Sequence, residues 1–499
     1  MGAAAFLPIA PEIVLLVGAL VVLMIEVTLG WGRRAWGAVA GASLLACLAL
    51  SVLQWLRIDE LGPQLNWTRR GSPVVDMPMV VMDHFSAFAG IALFTVAVIA
   101  FVSAWRLITT LEGRGAEFVA LYLLAVAGLD TMAISSNLVL LFIGLETGSI
   151  SLYVMAGFTR DQERSDEAAM KYFLLGSFSS AIFIYGVALA FAATGSTSIY
   201  GVGGIQSYFA STVILEPGIA LLAVGLMVVG LGFKVSAAPF HQWAPDVYQG
   251  APSGALPMMA TGVKIAGFAA MARILASGFP ALPDDWAPAL AGIAALSVVV
   301  GTLMAITQTD LKRMLAYSGV AHAGFIMTAL VAGMPGIPGM WFYVATYAVQ
   351  LVGAFTVAAI VSGWRSDRSP FESYIGLASR SPFLASILAL FMLAMGGIPL
   401  TSGFVGKLAV FTAAVDAGFL WLVILGVVAS VAGLFFYLRL IVLMFFSEPV
   451  LAEAPGTATA SPEPGAGGRA VLALTAAVTI VLGLVPWPLL ELVGYALPI

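Results

Sequence analysis

Runs of about 20 apolar residues recur along the whole chain, and each is long enough to cross the hydrocarbon of a bilayer. Lipid offers no hydrogen bond to a backbone amide or carbonyl, so runs of that length must close their own as α-helices. The period-two alternation of a membrane β-barrel is absent from the sequence. Fourteen segments are expected, with cores near 11–30, 36–56, 80–105, 116–135, 137–158, 168–194, 217–239, 253–277, 286–308, 313–333, 339–363, 382–416 (broken), 417–446 and 470–494. With 61% hydrophobic and 9% charged residues, the composition is that of a polytopic membrane protein, not a soluble one. The fold class expected is all-α and polytopic.

The opening MGAAAFLPIAPEIVLLVGALVVLMIEVTLG has no basic stretch ahead of its apolar run, and that run is too long for a signal-peptide core. A retained first helix is expected. Cys47 lies inside an apolar segment and reads as a small packed residue. The net charge of −5 comes without a basic cluster, which argues against a nucleic-acid partner.

An even number of spans puts both termini on one side. Basic residues favour the cytoplasmic side. Placing the termini outside puts thirteen of the 21 basic residues inside, among them Arg33, Arg34, Arg160, Lys312, Arg313, Arg365 and Arg368. Only Arg57, Arg69, Arg70 and Arg273 then fall outside. The four that remain, Lys171, Lys234, Lys264 and Lys407, belong to neither surface.

An ionisable group near the bilayer centre costs about 2.5 to 3.5 kcal/mol on insertion scales, so such residues usually face the bundle interior and mark an ion or proton path. Glu146, in NLVLLFIGLETGSISLYVMAGF, is about ten residues from either end of its helix. Lys234 follows Gly230 and Gly232 and comes just before Pro239, so it sits where a proline can interrupt the helix and free carbonyls. Lys264 is about ten residues into the next segment. Lys407 follows Gly396, Gly397, Pro399 and Gly403, beside a second expected break.

Two interrupted helices in corresponding places point to an inverted repeat. Lys234 and Lys407 are 173 residues apart, close to the 170 between the starts of the fourth and ninth segments. The same shift carries Glu146 to position 319, three residues from His322, and Lys264 to Tyr437. Two five-helix units follow, helices 4–8 in 111–280 and helices 9–13 in 281–446, behind three helices in 1–110. A linker over 447–469 leads to a last helix in 470–499. Five is odd, so the units insert with opposite topology, with helices 7 and 12 broken.

Each residue also has a plainer interpretation. Lys234, Lys264 and Lys407 can hold broken or neighbouring helices together through hydrogen bonds, and Glu146 can be a fixed counter-charge. Lys171 lies close to the loop TRDQERSDE and can snorkel to the surface. His241 can cap a helix end, and His322 can be a satisfied packing residue. Three scattered histidines and one cysteine supply no metal set, and no phosphate-binding glycine loop is present.

Glu146 in GLE, Lys234 in FKVSAAPFHQWAPDVYQGAP and Lys407 closing GGIPLTSGFVGK resemble the antiporter-like membrane subunits of respiratory NADH:quinone oxidoreductase, complex I. They are similar also to the related Mrp-type cation/proton antiporter subunits. The match spans nearly the whole chain. Within this group the likeness is to the N subunits, since no long lateral helix follows the fourteenth segment and Lys407 stands where M subunits typically carry glutamate.

The resemblance implies fourteen helices in a bacterial inner membrane, both termini periplasmic. It implies proton translocation through Glu146, Lys234, Lys264 and Lys407, with His322, His241, Lys171 and Tyr437 as further relay candidates. It implies no cofactor in this chain. NAD, FMN, iron-sulfur clusters and quinone are expected in partner subunits, and neighbouring membrane subunits are the expected partners. The second half departs from the pattern, for no intramembrane carboxylate is expected opposite Lys407, only His322 and polar groups.

Burial disfavours an ammonium and a nearby carboxylate favours it, so a movable partner charge switches a buried lysine. The mechanism expected is that Lys234 holds its proton while close to Glu146 and passes it through Lys264 toward Lys407 when they separate. The competing readings are an Mrp-type sodium/proton antiporter subunit and a structural membrane spacer.

Overall fold

The structure is a computed structural model that describes residues 3–30, 32–66, 78–111, 113–159, 161–212, 217–448 and 462–499. Helix α1 (Ala10–Met24) winds on through a π-helical turn to Leu29, and α2 (Arg33–Leu61) returns antiparallel to it. Two short strands, β1 (Gln64–Asn66) and β2 (Val80–Met82), pair antiparallel with Leu65 opposite Val81 before α3 (His84–Thr110). Then come α4 (Gly115–Ile134), α5 (Leu138–Ala156), α6 (Glu163–Thr194), the short α7 (Ile205–Ser211), α8 (Gly218–Val235), α9 (Trp243–Gly250) and α10 (Leu256–Ala272). A π-helical stretch carries α10 on to Gly278. Next are α11 (Pro283–Ile306), α12 (Leu311–Leu330), α13 (Ile337–Ser362), the one-turn α14 (Leu377–Arg380), α15 (Pro382–Gly396), α16 (Ser402–Asp416) and α17 (Leu420–Phe446). The chain closes with α18 (Ala466–Leu484) and α19 (Trp487–Tyr495).

Among the described residues, twelve helices are long and apolar enough to cross a membrane. The two further spans expected from the sequence are α12, which carries Lys312, Arg313 and His322, and the broken pair α15 and α16. The chain is thus an all-α polytopic membrane protein. The last span differs from expectation: it starts at Ala466 and breaks ahead of α19, at Pro486, which has no N–H to continue the ladder. Most of the expected linker, 449–461, lies outside the described residues, as do Arg69, Arg70 and Arg160.

Burial separates the helices into a shell and a centre. On α17, Val428 and Val431 keep 61% and 65% of their surface, as side chains facing lipid would. On α10 and its extension every residue from Leu256 to Gly278 is buried. A helix covered on all sides lies at the heart of the bundle, and Lys264 and Arg273 lie on it.

The 173-residue shift recurs in the backbone. Asn137 caps the N-terminus of α5 by accepting from Val139 N, and Asp310 caps α12 by accepting from Arg313 N. Leu138 N donates to Thr197 O at 2.8 Å and Ile199 N to Ser136 O at 2.7 Å. In the second unit Leu311 N donates to Ser369 O at 2.7 Å and Phe371 N to Thr309 O at 2.9 Å. A Cβ on Gly128 would collide with Gly148 N and Gly144 O, and one on Gly301 with Ala321 N and Tyr317 O. Each unit therefore seats its first helix against its second at a glycine where the two backbones touch.

Gly128→Val and Gly301→Val are accordingly expected to lower stability by about 1–3 kcal/mol or more each through overpacking. The thermal unfolding midpoint of the detergent-solubilised protein measures this, with Gly292→Val, which meets open space, as the neutral control.

Candidate functional site

The site is built around the two broken spans. Helix α8 ends at Val235 because Ser236 takes a left-handed conformation, φ 63°, and the chain resumes as helix only at Trp243. Between α15 and α16 the turn runs through Gly397, φ 86°, and Leu400, φ 71°. Among the described residues, Ser236 and Leu400 are the only non-glycine residues at positive φ, and each lies in a break. A broken helix leaves carbonyls without their usual amide partners. Phe233 O accepts from Trp243 Nε1 at 2.9 Å, Val235 O from Lys264 Nζ at 2.7 Å, and Gly396 O from Lys407 Nζ at 2.9 Å.

The C-terminal end of a helix carries partial negative charge, so an ammonium there is favourable. Lys264 and Lys407 each satisfy that condition for the first half of a broken span. Neither has a carboxylate within hydrogen-bonding contact among the described residues; Lys264 takes Gly319 O as a second acceptor, at 3.0 Å. Lys234 is held differently. Its ammonium donates to Ser149 Oγ and to Tyr153 OH, the latter at 3.1 Å, and lies 5.1 Å from the Tyr153 ring and 5.9 Å from the Tyr172 ring.

These contacts form a succession across the bundle. Lys234 is chain-adjacent to Val235, whose carbonyl holds Lys264. Lys264 reaches Gly319 on α12, one turn before His322. His322 Nδ1 hydrogen-bonds with Tyr343 OH at 2.8 Å and Nε2 with Tyr437 OH at 3.2 Å; its ring stacks on Tyr347 with centroids 4.2 Å apart. Tyr437 OH also pairs with Ser318 Oγ at 2.5 Å. One turn beyond His322, the Phe325 ring lies 4.8 Å from Lys407 Nζ. Lys234, Lys264, His322, Tyr437 and Lys407 are all buried.

The repeat pairs are visible in this succession. Gly319, the counterpart of Glu146, offers its carbonyl to Lys264, and Tyr437, the counterpart of Lys264, holds His322. The lysines themselves are less symmetric, for Lys234 precedes its break and Lys407 follows its own.

Glu146 stands at the edge. It is half-buried between Ile143 and Ile150, which keep 52% and 53% of their surface on the outer face of α5. Its Oε1 is buried without a hydrogen-bond partner among the described residues, and Lys234 turns to Ser149 and Tyr153 instead of to it. Lys171 is outside the succession: it pairs with Glu167 at 2.7 Å and with Asp246 at 2.8 Å. Asp246 also binds Arg313 at 2.6 Å, and a pocket of about 200 Å³ opens beside Arg164, Glu167 and Asp246. His241 lies within the first break, half-buried, its ring 6.1 Å from that of Tyr317 and its Nδ1 without a partner among the described residues.

Residues 135–433 match the protein family described as "NADH:quinone oxidoreductase/Mrp antiporter, TM". The chain belongs to this family. A relative from Solibacter usitatus, "NADH-quinone oxidoreductase subunit N 1", is 37% identical over 96% of this chain and 95% of its own length. A chain of respiratory complex I from Thermus thermophilus superposes with a TM-score of 0.79 at 32% identity, covering 96% of this chain and 98% of that one. A chain of the Mrp complex from Dietzia sp. DQ12-45-1b shares the fold, with a TM-score of 0.85 at 23% identity over 99% and 97% of the two chains.

Two basic residues that the charge count assigned to a side of the membrane are buried within the protein. Lys312, expected on the cytoplasmic side or at its helix ends, lies in the first turn of α12 and is buried, donating to Ala251 O at 2.7 Å and Ser366 O at 2.9 Å. Arg273 was expected outside and is fully buried, bound to both Asp83 oxygens at 2.9 and 3.1 Å and to Tyr200 OH at 3.0 Å. A count of basic residues ignores carboxylates, and Asp83 next to an expected helix start was the available signal. Tyr343, Tyr347 and Gln350 were also passed over; their spacing places three polar groups on one helical face.

Arg273→Met leaves Asp83 charged and buried without its partner, which costs roughly 3–5 kcal/mol. The expected result is a large fall in unfolding temperature, largely reversed in Asp83→Leu/Arg273→Met. Tyr437→Phe leaves His322 Nε2 and Ser318 Oγ short of a partner and is expected to lower proton translocation by about tenfold, as one unpaired buried group would. Dye-reported acidification of vesicles measures it.

Proposed function

We propose that this chain is a proton-translocating, antiporter-like membrane subunit of an NADH:quinone oxidoreductase, its transport coupled to electron transfer in other subunits. The observation that carries the proposal is the succession of buried amines bound to the open carbonyls of two interrupted helices. A structural spacer has no need of four buried protonatable side chains in one row. Relatives named as NADH-quinone oxidoreductase subunit N support the assignment to that complex.

In this proposal Lys234, Lys264, His322 and Lys407 exchange protons, and Glu146 biases the first of them. With Lys234 held by Ser149 and Tyr153, the acid and the amine form no direct ion pair, the arrangement in which Lys234 gives its proton toward Lys264. Backbone carbonyls steady Lys264 and Lys407, and hydroxyls steady Lys234, without neutralising them, so a lysine can lose its proton without stranding a carboxylate. In the second half His322 and its tyrosines take the place of a carboxylate. The exposed side of α5 around Glu146 would meet a neighbouring membrane subunit, through which the coupling signal arrives. NAD, FMN, iron-sulfur clusters and quinone belong to partner subunits in this proposal. The chain lies in a bacterial inner membrane with both termini periplasmic.

Lys234→Ala and Lys407→Ala are each expected to leave the complex assembled and to abolish or strongly reduce proton pumping. The measurement is the proton-to-electron ratio of inverted membrane vesicles oxidising NADH. An unchanged ratio in either variant would remove that lysine from the path. Dependence of transport on sodium would favour the Mrp-type reading.

A further inference from the structure

A second group of buried acids lies among the four N-terminal helices. Glu12 near the start of α1 keeps 8% of its surface, Asp130 near the end of α4 keeps 2%, and Ser51 on α2 keeps 1%. All three face the end of the bundle where α1 and α3 begin and α2 and α4 finish. Both Glu12 carboxyl oxygens, Asp130 Oδ1 and Ser51 Oγ are buried, and among the described residues no side-chain donor serves either acid.

The side chains converge on one point. Where Gly90 of α3 lacks a Cβ, Ser51 Oγ stands 2.6 Å and Asp130 Oδ1 3.5 Å from the space one would fill. The Glu12 and Asp130 carboxyls are within hydrogen-bonding reach of each other. From α2, Cys47 also faces the pair, its Sγ held on Pro11 O at 3.3 Å, while Gln54 uses its amide on Leu7 O and Pro8 O. No lysine, arginine or histidine acts on either acid among the described residues. Arg273 reaches Ala133, one turn along α4, but is engaged by Asp83.

Two carboxylates have no donor between them, so a hydrogen bond joining them requires a proton. Like charges that close together in apolar surroundings do not both ionise. We propose that Glu12 and Asp130 bind one proton between them, forming a proton site in α1–α4 separate from the lysine row.

The test is infrared difference spectroscopy on the intact membrane complex, comparing wild type with Glu12→Gln/Asp130→Asn, whose amides keep the shape and the hydrogen bond. At neutral pH the difference is expected to contain one protonated-carboxyl band, shifted in heavy water, and one set of ionised-carboxylate bands. Asp130→Asn alone is expected to lose the protonated band, since its amide donates in the proton's place; it gives the reading if the double variant does not assemble. Two ionised carboxylates with no protonated band would overturn the proposal. So would carboxylate bands that move when sodium chloride is added at constant pH, because the ligand would then be a sodium ion.

Discussion

A carbonyl without a donor is expensive in hydrocarbon, and two interrupted helices create such carbonyls in the middle of this bundle. The structure meets that cost with ammonium groups. Lys264 closes the end of α8 at Val235, and Lys407 closes the end of α15 at Gly396. The dependence runs both ways, because a lysine deep in a bilayer needs acceptors as much as the carbonyls need donors. An unbroken helix would have no carbonyl to offer. The breaks and the lysines are therefore one feature, and the positive φ angles at Ser236 and Leu400 are what it costs in backbone conformation.

The two halves solve the same problem with different parts. In the first, the amine that closes the break comes from another helix, α10, while Lys234 is left to hydroxyl and aromatic contacts. In the second, the closing amine is on the same span, and the position equivalent to Lys264 is Tyr437. A tyrosine hydroxyl donates and accepts but is seldom charged near neutral pH. The repeat thus preserves backbone geometry, seen in the Asn137 and Asp310 caps and the Gly128 and Gly301 crossings, while its polar side chains have diverged.

Much of this was legible in the sequence. The apolar runs are long and strongly bounded, so the spans were predictable to within about five residues at each end, the last span excepted, and proline and glycine marked both breaks. Lys234, Lys264, His322 and Lys407 stood out because a charge or an imidazole inside an apolar run is conspicuous, and they do share one interior. What was not legible depends on which face of a helix meets which neighbour. Nothing in the local sequence says that Lys171 turns to Asp246, that Arg273 finds Asp83 some 190 residues away, or that Lys234 prefers Ser149 and Tyr153 to Glu146. The acids Glu12 and Asp130 were visible as charges in apolar segments, but their partnership appears only when α1 packs on α4.

The amines must be considered together, because their charges feel one another. Two unit charges about 10 Å apart at an effective dielectric of about 20 repel by roughly 1.7 kcal/mol, more than a tenfold change in an equilibrium. In the proposed relay a proton taken up by one member of the row therefore disfavours a proton on the next, and a proton that leaves Lys407 makes room for one behind it. In the same relay His322, between Lys264 and Lys407, carries the same repulsion across the point where the two units meet, with a tyrosine hydroxyl at each ring nitrogen as proton partner. The row's one carboxyl group, Glu146, stands at its outer end, and in the proposed function that end is where an outside charge tips the whole set.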